Sequence, residues 1–310
     1  MTTLTTPGRA QRGAASPDEA SGSGLRTPTG RARGSGLRTP RSAIVLAYVV
    51  LAVGVAIALL PFLYVVSTSL KETTSLFSYP PDWIPSPIYW GNFESLFADH
   101  PFVRWTVNTL FVAGAVTGLK LWFDSMAGYA LAKMEFAGKR GVALLFLLSV
   151  AIPISALIIP LFFVVRYLGL LNTYWALILP PLANPLGIFM ARSFIVGIPD
   201  DLEASARLDG ASEFTIYRKI VLPLIRPGLV VLGMFTFMLQ YTSLIWPLIS
   251  VQDSERQVLA VGISGLQSAF LQDWGLLSAG MLLAAVPITV VFLLVQNAFV
   301  ASDLSGALKE

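Results

Sequence analysis

The chain is 310 residues long, 55% of them hydrophobic and only 13% charged, where soluble domains carry about 25% charged residues. Half the usual charge, with apolar runs of bilayer-crossing length, excludes an ordinary soluble domain and makes lipid the main solvent. No cysteine and a single histidine, His100, leave no disulfide and no thiolate or His-built metal centre, and the net charge of +3 follows membrane topology rather than a nucleic-acid-binding patch.

Residues 1–42 are Gly, Ser, Thr, Pro, Ala and Arg with almost nothing apolar, and GSGLRTP occurs at 22–28 and again at 34–40. Such a segment cannot bury enough surface to offset its ordering entropy, so it reads as a disordered tail. Its seven arginines, Arg9 to Arg41, favour the cytoplasmic side, either solvated or against anionic lipid.

A span needs about 20 apolar residues, and residues 43–310 offer an all-α polytopic domain with six transmembrane helices. They run at about 43–66, 102–129 and beyond, 142–165, 174–196, 228–249 and 276–300. Pro153 and Pro160 lie in the third, Pro180, Pro181 and Pro185 interrupt the fourth, Trp246 and Pro247 close the fifth, and Pro287 lies in the sixth. Lys133, Lys139 and Arg140 sit in the second connection, and Arg192, Arg207, Arg218, Lys219 and Arg226 in or beside the fourth. The odd connections carry only Lys71, Arg104, Arg166 and Arg256. Both termini and the even connections are therefore expected in the cytoplasm.

The connection at 67–101 is rich in Pro80, Pro81, Pro85 and Pro87 with Trp83, Tyr89, Trp90 and Phe93, the composition of an ordered cap at a membrane boundary. His100, beside Asp99, reads as a solvated loop residue.

The fourth connection, 199–223, is the longest charge-rich run between apolar segments. Asp200 and Glu203 have capping-box spacing, Leu202, Ala206 and Leu208 give a short helix an apolar face, and Gly210 is placed to stop it. Ser212 can cap a second short helix bearing Phe214, Ile216, Tyr217 and Ile220, with Pro223 expected to end it. The result is a compact knob facing water, either docking another protein or lying on the lipid surface.

These residues resemble the signature loop of the membrane subunits of binding-protein-dependent ABC importers: Ser205-Ala206, Asp209-Gly210-Ala211, then Ile220, Leu222 and Pro223 at matching separations. Ala204 stands where that family has Glu, and Glu203 lies one residue earlier, rotated by about 100° on a helix. The resemblance continues through Ser69-Leu70-Lys71, Asn92-Phe93, Asn108-Thr109, Tyr129 to Ala132 and Asn172-Thr173, and to Phe292, Gln296 and Phe299. It is similar overall to the second, shorter permease of carbohydrate importers of the maltose-transporter type. It departs from them at Tyr241 to Ser243 and at the C-terminal 306–310.

The resemblance implies the fold of an importer permease in a bacterial-type cell membrane. It implies a second permease as partner, two copies of an ATPase subunit that bind ATP and Mg, and an extracytoplasmic sugar-binding protein docking at 67–101. In the family the signature loop is the coupling helix that docks on the ATPase. That role carries over to Glu203, Ser205, Ala206, Asp209, Gly210, Ala211, Phe214, Ile220, Leu222 and Pro223.

Sugar passage needs hydrogen-bonding groups and aromatic faces rather than fixed charge. Gln240, Tyr241, Thr242 and Ser243 are the leading candidates, with Asn108 and Asn184, although helix–helix hydrogen bonding accounts for such residues equally well. Lys120 and Asp124, one turn apart, read as a structural ion pair or a gate. No Gly-x-x-x-x-Gly-Lys-Ser/Thr loop occurs, so no cofactor is expected in this chain and ATP belongs to a partner. The expected activity is transport, not catalysis. A membrane enzyme acting on lipid-linked substrates is the alternative, though convergent carboxylates or metal ligands at one leaflet are missing; a structural membrane anchor is another.

Overall fold

The computed structural model describes residues 41–77, 83–267 and 273–307, so residues 1–40, Pro80, Pro81 and residues 308–310 lie outside the described residues. Contacts divide the chain into Met1–Gly54 and Val55–Glu310. The described part of the first unit is wholly helical and belongs to α1, Arg41–Ser69, whose side chains from Arg41 to Tyr64 are exposed in the isolated chain. A helix apolar on every side and unburied by its own chain suits lipid or a partner span.

The second unit continues with α2 (Gly91–Ala98), α3 (Phe102–Lys133), α4 (Lys139–Val150), α5 (Ile154–Tyr167), α6 (Tyr174–Leu182) and α7 (Leu186–Val196). After these come α8 (Asp200–Leu208), α9 (Glu213–Ile216), a π-helical turn over Tyr217–Val221, and α10 (Leu222–Leu224). The chain closes with α11 (Arg226–Tyr241), α12 (Ile245–Ser250), α13 (Leu259–Gly265) and α14 (Trp274–Ala307). Among the described residues, helices at 41–69, 102–133 and 274–296 are long and apolar enough to cross a bilayer, and three sharply bent pairs raise the number to as many as six.

The bends fall at prolines: the fourth expected span is interrupted at Pro185, in line with its sequence, whereas the third, expected as one span over 142–165, is broken. Between α4 and α5 the chain turns by 103°. Pro153 offers no N–H and holds an extended backbone at the start of α5, whereas Pro160 is absorbed inside α5. At the α6–α7 break the bend is 47°. The expected fifth span stops early at Tyr241, and Ile245–Ser250 forms a separate helix.

The axis of the unit is α3, which packs along α7, α11, α6 and α13. One core joins Leu96, Phe102 and Trp105 to Phe237, Leu259 and Leu277; another sets Val112 and Val116 against Leu177 and Val261. At the other end of α3, Tyr129 packs with Ile195, Ile216, Tyr217 and Val221. Asn172, at φ 59°, adopts the left-handed conformation that Asn tolerates, and its Oδ1 accepts from the Gln252 N–H at 2.7 Å. His100 is half-buried rather than solvated, its ring 6.2 Å from that of Trp105.

Candidate functional site

The knob is built from α8, α9 and the turns around them. After α8 the N–H of Gly210 bonds the Arg207 carbonyl and that of Ala211 the Ala206 carbonyl, each at 3.0 Å, with Gly210 at φ 80°. This paired pattern closes a helix with a left-handed residue, and only Gly enters that region without a Cβ penalty. Gly210→Ala is expected to destabilise the knob by about 1–2 kcal/mol, seen as earlier proteolysis at 209–212 during controlled heating. Ser212 caps α9 as expected, its Oγ accepting from the Thr215 N–H at 3.3 Å.

Two local expectations are corrected. Asp200 and Glu203 form no capping box: Pro199 is the N-cap residue, without a side-chain cap bond. Lys133, at the end of α3, draws both carboxylates to itself, its Nζ lying 2.5 Å from Asp200 Oδ1 and 3.3 Å from Glu203 Oε1 while donating to the Ile198 carbonyl at 2.7 Å. A charged partner outweighs a neutral backbone donor. Pro223 does not end the second helix either. The π turn ahead of it absorbs the ring, helix continues to Leu224, and the chain bends by 78° before α11.

Glu203 is only 2% exposed and faces inward. Arg207 Nη2 lies 3.3 Å from its Oε2, and the same guanidinium grips Glu213 at 2.7 and 3.2 Å. Tyr129 Oη donates to Glu213 at 2.7 Å, and Tyr217 Oη shares a 2.7 Å bond with Ser125. The Lys133 ammonium holds the exposed Asp200 carboxyl below the usual carboxylate range. Through this network the knob is clamped to the end of α3.

The apolar face of α8 is also not as expected. Leu208 is 90% exposed and Leu202 and Phe214 are half-exposed, while the half-buried Ala206 packs inward beside Ile216 and Tyr217. Ser205, Asp209 and Gly210 share the outer surface; Ala211, Ile220 and Leu222 are half-buried on the inner side, and Pro223 is exposed. The knob thus carries unburied leucines at Leu202 and Leu208.

A cavity of about 410 Å³ opens between α3, α5, α6, α7 and α11. Its walls are mainly apolar, with Lys120, Ser155, Asn184, Thr236, Gln240 and Ser243 supplying polar groups. Lys120 Nζ lies 2.9 Å from Asp124 Oδ2 and donates at 2.7 Å to the Asn184 carbonyl, a backbone acceptor at the α6–α7 break. Asn184, Gln240 and Ser243 therefore share one cavity.

Asn108, Tyr241 and Thr242 do not join them. Asn108 is buried, its Nδ2 donating to the Glu255 and Gln257 carbonyls at 2.9 Å and its Oδ1 accepting from Tyr174. Tyr241 Oη donates to the Ala284 carbonyl at 2.7 Å and so joins α11 to α14, and Thr242 bonds the Met238 carbonyl behind it. These polar side chains serve helix packing.

Over residues 125–302 the chain matches the family described as the binding-protein-dependent transport system inner membrane component. The chain belongs to that family. It is 32% identical to the arabinooligosaccharides transport system permease protein AraQ of Halalkalibacterium halodurans, over 82% of this chain and 92% of the relative. It is 34% identical to the trehalose transport system permease protein SugB of Mycobacterium tuberculosis, over 82% and 94% of the two chains. A chain of a bacterial ABC transporter involved in import of the acidic polysaccharide alginate has the same fold, with a TM-score of 0.71 at 21% identity over 84% of this chain and 98% of the other.

The matched region of this inner membrane component begins at Ser125 and contains the knob, its anchors on α3 and most of the cavity wall. Within the permease, the residues missed by sequence reasoning are Tyr129, Lys133, Arg207 and Glu213 as one network, and Gly187. A Cβ at Gly187 would overlap the Asp124 carboxylate, so glycine there is what lets α7 lie against the ion pair. The charges of 129–135 and 203–213 were visible in the sequence, but only tertiary packing says which of them meet.

Proposed function

We propose that this permease forms half of the translocation path of an ATP-driven importer of neutral di- or oligosaccharides and works by alternating access. A second permease encloses the other half. Two copies of an ATPase subunit hold ATP and Mg, and an extracytoplasmic sugar-binding protein delivers substrate at 67–101. Basic residues at the even connections favour cytoplasmic termini and a cytoplasmic knob in a bacterial-type cell membrane.

The observation that carries this reading is the knob itself, locked to α3 on its inner side while Leu208 stands 90% exposed on the outer. An exposed leucine on a rigid, charge-rich loop fits insertion into a partner's groove. Ser205, Asp209, Gly210 and Phe214 extend that docking face; Ala206, Ala211, Ile220, Leu222 and Pro223 support it, and Glu203 braces it from inside. The sugar assignment is supported by the relatives named for arabinooligosaccharides and trehalose, and by uncharged polar groups at Asn184, Gln240 and Ser243 in the cavity.

The chain has no cysteine, so Leu208→Cys is a unique crosslinking site. In vesicles holding the whole importer, this variant should capture the ATPase subunit, and capture should arrest sugar uptake. Transport-active vesicles in which neither Leu208→Cys nor Phe214→Cys reaches a nucleotide-hydrolysing neighbour would overturn the reading. Uptake driven by ATP but indifferent to every neutral oligosaccharide would overturn the substrate class alone.

A further inference from the structure

A crevice of about 750 Å³ lies between the end of α3, the loop after it, α4 and α7. Its lining is apolar at Leu131, Phe136, Leu144, Leu147 and Phe189. It also carries Lys139, Arg140 and Arg192, with Glu135 as the acidic side chain among the lining residues. Lys139 is already committed, its Nζ lying 3.0 Å from Glu135 Oε1 and 2.8 Å from the Met134 carbonyl. Arg192 gives only its Nε, to the Leu131 carbonyl at 3.4 Å. Among the described residues the Arg140 side chain holds no hydrogen bond or ion pair. Three cations against one carboxylate leave two guanidiniums uncompensated in a partly apolar lining.

We propose that this crevice binds the phosphodiester headgroup of an anionic phospholipid. Guanidinium forks match phosphate oxygens in paired hydrogen bonds, which a lone ammonium cannot do. The apolar lining continues along α4, where Leu144 and Leu147 are 54% and 57% exposed, and so offers an acyl chain a place that a free phosphate ion would leave bare. The crevice also lies at the right height. Helix α4 starts at Lys139 and opens a bent pair apolar enough to cross a bilayer, so its first turn falls where headgroups gather. A headgroup held by Arg140 and Arg192 would bridge α4 to α7, which are separated in the chain by α5 and α6. The inference rests on the chain spanning a membrane, not on the identity of its cargo or motor.

The test uses the full chain in phosphatidylcholine bilayers with trace spin-labelled phosphatidylglycerol or phosphatidylcholine. Phosphatidylglycerol should be retained preferentially, and Arg140→Gln and Arg192→Gln should each lower that preference roughly fivefold, the effect of one basic residue near anionic lipid. Arg218→Gln, an exposed arginine on the knob, should leave it unchanged. Arg140 has no partner to lose, so its variant carries the test even if Arg192→Gln proves poorly folded. A preference that survives Arg140→Gln, or falls equally with Arg218→Gln, overturns the site. Millimolar inorganic phosphate is the last arm. Full displacement of the labelled lipid by phosphate, with no effect of Leu144→Ser or Leu147→Ser, would make this an ion site and overturn the lipid assignment.

Discussion

Lys133→Met is expected to destabilise the folded chain by about 3 kcal/mol, the lower end of the cost of stripping one partner from a buried ion pair. The Lys133 side chain is 7% exposed and that of Glu203 2%. Methionine fills the same space but leaves the Glu203 carboxylate inside the protein with Arg207 alone, and Arg207 is already engaged by Glu213. Glu203→Gln should cost less, about 1–2 kcal/mol, because Lys133 keeps Asp200 and the Ile198 carbonyl while the amide keeps a donor and an acceptor. The double variant Lys133→Met/Glu203→Leu should recover more than half of the single loss, since no buried charge is then left unpaired. Thermal midpoints of the purified permease in one detergent would rank the three. If the double variant melts no higher than Lys133→Met, the cost does not come from the stranded carboxylate. In the importer proposed above, the same Lys133→Met change should reduce sugar uptake at least tenfold while ATP turnover is kept, because the knob loses the ion pairs that tie Asp200 and Glu203 to the end of α3 and keeps only its Tyr129, Tyr217 and apolar contacts there.

What could be read from the residues in advance was local. Gly210 and Ser212 act through bonds to atoms within five positions of themselves, so their effect on α8 and α9 was legible without the fold. Asp200 and Glu203 were misread for the opposite reason. Their partner Lys133 lies 67 residues from Asp200, and its full charge overrides the local capping preference. Proline marks the three sharply bent pairs but not the size of their bends, and no proline lies at the break between Tyr241 and Ile245. Pro160 sits inside an unbroken α5 while Pro153 starts that helix at a 103° turn. The polar residues of the fifth span divide in the same way. Gln240 and Ser243 face the cavity, but Tyr241 between them finds the Ala284 carbonyl on α14, a choice set by the rotation of α11 that composition does not encode. That rotation is why the cavity takes Gln240 and Ser243 but not Tyr241.

Gly128→Ala is expected to lower stability by about 1–3 kcal/mol, and Gly118→Ala on the same helix to leave it unchanged or raise it by about 0.5–1 kcal/mol. At Gly128 a Cβ would lie 2.9 Å from the Arg192 backbone nitrogen, 3.0 Å from Ala191 Cβ and 3.1 Å from the Ile188 carbonyl oxygen. Two of these are main-chain atoms of α7, which cannot move aside as a side-chain tip would, so the methyl can be housed only by separating the two helices. Small residues allow such close approach where lipid supplies no hydrophobic drive between helices. At Gly118 nothing lies within 4 Å of the added Cβ, and only the entropic gain of replacing a helical glycine remains. Separation of α3 from α7 at Gly128 also acts at a distance. One turn back, Asp124 rests against Gly187, and Lys120 beyond it reaches the Asn184 carbonyl at 2.7 Å across the same seam. Widening the seam lengthens that bond and lets water into the ion pair, so the cavity should change as well as the stability. Melting of the isolated permease reads the first effect. The second should appear as faster labelling of Ser155→Cys, on the cavity wall, by a water-soluble maleimide in Gly128→Ala than in Gly118→Ala. Equal melting of the two alanine variants would mean that α3 and α7 have room between them that their backbone distances deny.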